Sequence, residues 1–154
     1  MPASGSFSIQ QLGPSDLGPF RTLLGVFGAA FDEVDTYEGA QPGDAYLRDL
    51  LGSAPFIALA AVQDGEVVGG LAAYELRKFE RERSEIYIYD LAVLEAHRRR
   101  GMATALIARL RQIGAARGAY VLFVQADPPD AAAVALYGKL GQREEVLHFD
   151  IPAP

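Results

Sequence analysis

The stretch Ser84–Ile107, SEIYIYDLAVLEAHRRRGMATALI, constrains the fold of this chain more than any other. In Ile86-Tyr87-Ile88-Tyr89-Asp90-Leu91-Ala92-Val93 both side-chain parities are apolar or aromatic, the pattern of a strand covered on both faces at the centre of an α/β sheet. Only Asp90 interrupts it. The segment His97-Arg98-Arg99-Arg100-Gly101-Met102-Ala103-Thr104 then collects three guanidiniums, one flexible backbone position and small residues at a helix start. Met102, Leu106, Leu110 and Ile113 fall along one face of that helix.

A strand that runs through such a loop into a helix reads as a phosphate cradle, with a solvated basic turn before an ordinary helix as the rival reading. The first N–H groups of a helix lack intrahelical partners and sit at the positive end of its dipole, so an anion satisfies both. Gly101 and Ala103 let the backbone approach the anion, and Arg98, Arg99 and Arg100 supply planar, charge-assisted contacts. The spacing Arg-x-x-Gly-x-Ala is short. Its weight comes from the apolar strand before it and the amphipathic helix after it.

The 154 residues suffice for a single domain, 1–154, with one continuous core. Cysteine is absent, which excludes a disulfide framework, a thiolate metal site and a Cys nucleophile, and two histidines are too few for a His-rich metal site; no metal is expected. No apolar run approaches the roughly 20 residues that span a bilayer, and Met1-Pro2-Ala3-Ser4-Gly5-Ser6 has no basic, then apolar, leader pattern. A cytoplasmic protein without a membrane partner is expected. The net charge of −6 is unevenly spread, at −8 over residues 1–75 and +2 over residues 76–154. An anion site in the second half and a cation-attracting surface in the first would produce that split, as would acids that only solubilise a loop-rich half. A nucleic-acid partner is not expected.

Along the chain, Phe7–Leu12 alternates as a first strand and Gly13-Pro14 stops it. Ser15 or Asp16 caps a helix with Leu17, Phe20, Leu24, Phe27 and Phe31 at helical spacing. The acidic segment Asp32-Glu33-Val34-Asp35-Thr36-Tyr37-Glu38 reads as a surface loop, either suited to cations or merely solvated. A helix from Asp44 to Leu51 has Tyr46, Leu47, Leu50 and Leu51 on its buried side. Phe56–Val62 and Glu66–Leu76 form a hairpin about Asp64-Gly65, and the mixed charges from Arg77 to Arg83 read as a solvated connection. Beyond the cradle helix, Gly118 is a stop and Ala119–Ala126 a second buried strand. Asp130 then caps a helix from Ala131 to Leu140, and Arg143–Ile151 alternates as a final strand. The expected class is α/β (α+β), in the order β-α-α-β-β-β-α-β-α-β.

This order, the cradle after the fourth strand and a tyrosine late in the last helix resemble the GNAT acetyltransferase superfamily over nearly the whole chain. A narrower resemblance lies in Phe56–Ala61, Ser84–Val93, Ala133-Val134-Ala135-Leu136-Tyr137 and Arg143–Ile151, which look like the GNAT-type aminoglycoside 3-N-acetyltransferases, including the gentamicin acetyltransferases. That resemblance implies a central mixed sheet flanked by helices and a homodimer. It implies acetyl-CoA as cofactor, with its pyrophosphate on Arg98, Arg99, Arg100, Gly101, Met102, Ala103 and Thr104 and its pantetheine arm along Leu91, Ala92 and Val93. The implied acceptor is a polycationic aminoglycoside, acetylated at the 3-amino group of its 2-deoxystreptamine ring. Asp130 stands where many members have Asn, which removes an amide donor from the cofactor contact.

Acyl transfer to an amine needs a base for the ammonium proton and an acid for the leaving thiolate. Asp90 is the expected base, because a carboxylate within an apolar strand is costly unless paired, so it is either satisfied structurally or used. Tyr137 is the expected acid where the resemblance is followed, and core filling with a wet tip otherwise. Asp32, Glu33, Asp35, Tyr37, Glu38, Asp127, Glu144 and Asp150 form the set from which an acceptor site would be drawn. Two rival readings stay open. One is a GNAT enzyme for polyamines or peptide amines; the other is a non-catalytic acyl-CoA-binding module that needs neither Asp90 nor Tyr137.

Overall fold

A computed structural model describes residues 6–154. Residues 1–5, part of the stretch read above for a leader, lie outside the described residues. The order is β1 (Ser8–Leu12), α1 (Leu17–Ala30), α2 (Val34–Glu38), α3 (Asp44–Leu51), β2 (Phe56–Gln63), β3 (Glu66–Arg77), β4 (Ser84–Val93), α4 (Met102–Arg117), β5 (Ala119–Val124) and α5 (Ala131–Leu140), with one 3-10 turn at Glu95–His97. The strands form one mixed sheet in the order β1-β2-β3-β4-β5. The first three pairings are antiparallel and β4–β5 is parallel, bridged by the α4 crossover. Asp64 and Gly65, at φ 52° and 79°, make the expected tight turn between β2 and β3.

Each face of the sheet carries its own core. On one, Ile57, Leu59, Leu71, Ile86 and Ile88 meet Met102, Leu106 and Leu110 of α4. On the other, Phe56, Ala58, Ala60 and Ala92 meet Phe20, Leu23 and Phe27 of α1 and Leu47 and Leu51 of α3. The small residues on this second face let α1 lie close. At Gly70 an added Cβ would fall 2.5 Å from both Leu23 Cδ1 and the Leu59 carbonyl oxygen, so no larger residue fits there.

The β3–β4 ladder holds the feature on which the site depends. Ala72 pairs with Asp90 and Ala73 with Ile88, which leaves Tyr89 unpaired in a β-bulge. Ile88, Leu91 and Val93 belong to the α4-side core and Ala92 to the α1-side core. The extra residue therefore turns Tyr89 and Asp90 toward the same face, the one that α1 and α2 share.

Several expectations need correction. The acidic segment forms the short helix α2 rather than a loop, so three helices, not two, separate β1 from β2. Strand β4 is not covered on both faces, because Tyr89 is 63% exposed. Strand β5 ends at Val124, and Tyr120, Val121 and Phe123 are exposed, so it is half covered rather than buried. Tyr46 and Phe31 also face solvent, while Leu23 and Val26 take the buried side of α1. Residues 143–151 form no strand; no sheet pairing reaches them. Asp16 stands at the α1 N-cap but spends its carboxylate on the Gly13 N–H, at 2.7 Å.

Candidate active site

The loop before α4 has the geometry of an anion cradle. Arg99 and Gly101 are both left-handed, at φ 62° and 82°, a conformation that turns successive N–H groups toward a common hollow. A left-handed arginine stores strain, which is characteristic of functional loops. No side chain caps the start of α4. An added Cβ at Gly101 would meet nothing within 4 Å, so the space before these N–H groups is open. Met102 is buried, which leaves only its backbone for the hollow, whereas Arg99, Arg100 and Thr104 are exposed. The loop is pinned from behind: Arg98 Nε donates to the Val93 carbonyl at 3.0 Å, and His97 Nδ1 lies 3.2 Å from Oε1 of the buried Gln63. These residues fit a pyrophosphate.

Beside the cradle, β4 has a free edge. Its pairing with β5 ends at Ile88↔Val124, whereas its pairing with β3 continues to Val93. Between Tyr89 and Val93 the backbone groups that point away from β3 thus have no strand partner. Leu91, Ala92 and Val93 border this slot.

Asp90 and Tyr137 approach the slot from opposite faces. The Tyr37 hydroxyl on α2 donates to Asp90 Oδ2 at 2.9 Å and leaves Oδ1 without a protein donor among the described residues. Burial pushes the Asp90 carboxyl above its usual range; the bond from Tyr37 pulls it down and Glu33 pushes it up again. The Tyr37 phenol is itself raised, by burial and by its bond to Asp90. Tyr137 packs with Leu136 against the α4-side core, and burial, then Asp130, hold its phenol protonated to higher pH than usual. Asp130 is engaged as the α5 cap, its Oδ1 accepting from the Ala133 N–H at 3.1 Å.

The acidic set does not converge. Glu33 acts on Asp90, but Glu38 lines a separate recess of about 650 Å³ with Arg21, Gln41 and Leu94. Asp32 is left-handed at φ 54°, and Asp35 sits in the first turn of α2. Asp127 is exposed before α5; Glu144 and Asp150 lie in the exposed C-terminal segment, with Asp150 paired to His148 at 2.9 Å. The sequence reading missed an aromatic row that starts at the buried Phe56 and runs outward over the more exposed part of the α1-side face. Phe56 meets Tyr74 at 5.2 Å, Tyr74 meets Tyr89 at 6.2 Å, Tyr89 meets Tyr87 at 5.5 Å and Tyr87 stacks on Phe123 at 4.7 Å. Tyr87 and Tyr89 share a face by strand alternation, which was the available signal.

The bond from Tyr37 and the charge of Glu33 act on Asp90 in opposite directions, which fixes the sign of a test. With Asp90 as the expected base, which works only when ionised, activity should fall as pH drops through its pKa. Tyr37→Phe removes a bond that favours the ionised form, so the acidic limb of kcat/KM against pH should move to higher pH. Glu33→Gln removes a repelling charge and should move it to lower pH. Pre-steady-state or kcat/KM profiles of the two variants check both shifts.

A cradle, a slot along a splayed strand pair and a carboxylate beside it are the parts of an acyl-CoA-dependent transferase. The acetyltransferase (GNAT) family model matches residues 27–142, and the chain belongs to that family, whose members use acetyl-CoA. Among solved structures, an aminoglycoside acetyltransferase from an uncultured soil metagenomic sample is 64% identical, with a TM-score of 0.95 over 97% of this chain and 99% of that one. A second aminoglycoside acetyltransferase from an uncultured soil metagenomic sample, in complex with sisomicin, is 31% identical, with a TM-score of 0.88 over 96% of this chain and 97% of that one. An aminoglycoside N-acetyltransferase in complex with CoA shares the fold, with a TM-score of 0.77 at 19% identity over 99% of each chain. No curated protein matches the chain significantly. Among the described residues no helix is long and apolar enough to cross a membrane.

Proposed function

We propose that this chain transfers the acetyl group of acetyl-CoA to an amine of an aminoglycoside, at the 3-amino group of the 2-deoxystreptamine ring. The observation that carries the reading is the half-buried Asp90 carboxylate, with one oxygen tied to Tyr37, beside the free edge of β4. The acceptor class is supported by the 64% identical aminoglycoside acetyltransferase and by the 31% identical one that holds sisomicin. The 3-position rests on the resemblance of Ser84–Val93 and the other quoted segments to the 3-N-acetyltransferases.

Acetyl-CoA supplies the activated thioester. Arg99, Arg100, Thr104 and the N–H groups at the start of α4 hold its pyrophosphate, and the free edge of β4 lines its arm. Asp90 Oδ1 takes the proton of the acceptor ammonium, which frees the nitrogen lone pair for attack. Outward-pointing N–H groups between Tyr89 and Val93 are placed to polarise the carbonyl under attack. The Tyr137 hydroxyl delivers a proton to the departing sulfur. Exposed acids of the N-terminal half, Glu33 foremost, draw in a cationic acceptor, so its KM should rise with ionic strength.

Thiol release measured across aminoglycosides, spermidine and a basic peptide tests the acceptor class, and NMR of the product tests the position. Acetylation of an aminoglycoside at the 3-amino group is the expected result. Turnover with the polyamine or peptide alone overturns the acceptor class, another acetylated position overturns the regiochemistry, and acetyl-CoA binding without turnover leaves only a binding module.

A further inference from the structure

Four aromatic residues stand side by side across four strands. Phe56 of β2 pairs with Tyr74 of β3, Tyr74 with Tyr87 of β4, and Tyr87 with Phe123 of β5, each as direct partners in the register. The bulge sets Tyr89 edge-on to both Tyr74 and Tyr87, next in the chain to Asp90. Tyr46 of α3 stands close enough to Tyr74 to act on its phenol. The α1-side core takes in Phe56 but none of the ladder's other members, so Tyr74, Tyr89 and Phe123 are exposed and Tyr87 is half-buried. Cross-strand aromatic pairs stabilise a sheet by themselves. An exposed run of them that ends at a half-buried carboxylate also has the composition of a ligand site.

The row suits a cation that carries a ring. Burial first, then the neighbouring phenols and the Asp90 charge, hold the Tyr74 and Tyr87 phenols protonated to higher pH than usual, which puts Asp90 within electrostatic reach of both rings. Among the described residues, the cations seated over aromatic faces are Lys78 over Phe79 and Arg83 over Tyr120, so no group of the chain fills the faces of Tyr74, Tyr87 or Tyr89. We infer that this row is the subsite for the part of the acceptor that does not react: a second amino-sugar ring lies with its C–H face on Tyr89 and Tyr74, and its ammonium stands over a phenol face. The inference rests on the proposed acceptor class and adds a requirement to it. One ammonium meets Asp90 while a neighbouring ring is held on the aromatic row, so a flexible polyamine, which has the charges but no ring face, gains little there. A neutral apolar occupant would leave the charges of Asp90 and Glu33 unanswered.

Tyr74→Leu and Tyr89→Leu keep apolar bulk and remove the aromatic faces, whereas Tyr74→Phe and Tyr89→Phe retain them. With gentamicin as the probe, each Leu variant should raise the acceptor KM about tenfold, with the change falling on KM rather than kcat and with the KM of acetyl-CoA unmoved; each Phe variant should recover the parent KM. Saturation-transfer NMR reads the contact directly in the parent. Irradiation of the protein's aromatic protons should mark gentamicin protons on a ring outside 2-deoxystreptamine, and the signal should weaken in Tyr74→Leu/Tyr89→Leu. Absence of that transfer in the parent overturns the inference even where a Leu variant fails to fold. A lower melting temperature with an unchanged gentamicin KM also overturns it, because the ladder then only stabilises the sheet, as does equal loss in the Phe and Leu variants. A parent that turns over no aminoglycoside overturns the acceptor class and this subsite together, whereas a parent active on gentamicin but indifferent to both Leu substitutions overturns the subsite alone.

Discussion

Asp90→Asn is expected to lower kcat/KM by about 10²–10⁴-fold, the usual cost of losing a general base, with cofactor affinity unchanged. The amide oxygen still accepts from the Tyr37 hydroxyl, which now donates at 2.9 Å, so the contact between α2 and β4 survives. Stability separates this role from a structural one. Burial raises the Asp90 pKa, so the folded chain holds that proton more tightly than the unfolded chain does. Its contribution favours folding at low pH and declines as the pH rises past the ordinary carboxylate range and through the folded value. A neutral amide avoids that decline, and the melting temperature at neutral pH should equal or exceed the parent's. A structural carboxylate predicts the reverse, a lower melting temperature with activity lost only in proportion to unfolding. Kinetics across pH and thermal melts on the same preparation read both.

What the sequence made legible follows periodicity. The α4 face through Met102, Leu106 and Leu110, the hairpin at Asp64-Gly65 and the left-handed turn at Gly101 each rest on contacts close along the chain, where spacing and turn chemistry decide. The bulge at Tyr89 was hidden because both parities of β4 are apolar or aromatic, so a one-residue slip leaves no mark on the pattern. Without the bulge, Asp90 would not share a face with Tyr37 on α2. The acid that matters to it, Glu33, could not be sorted from Asp32, Asp35 and Glu38, because the short α2 helix splits four neighbours among different surroundings. Arg143–Ile151 misled for a different reason. Its alternation is that of a strand, but a strand also needs a partner, and nothing local to residues 143–151 supplies one.

Gly101→Asp is expected to weaken acetyl-CoA binding by about 10²-fold or more, since like charges brought together in a binding site cost several kcal/mol and each 1.4 kcal/mol is a factor of ten. Two properties of the position make the outcome interpretable. The new Cβ meets no protein atom within 4 Å, so any loss is not a packing defect. The φ of 82° is left-handed, which aspartate and asparagine tolerate better than most residues, so the loop is expected to keep its course. Gly101→Asn carries the same bulk and the same backbone demand without the charge. If the hollow before α4 holds the pyrophosphate, calorimetric titration should show Asn losing modestly and Asp losing far more, with the difference shrinking as salt is raised. Acceptor binding should change little in either variant, because Asp90 and Glu33 lie on the α1–α2 face, away from the start of α4. Equal affinities for the parent and a folded Gly101→Asp variant would move the cofactor's phosphates to another surface and remove the cradle assignment.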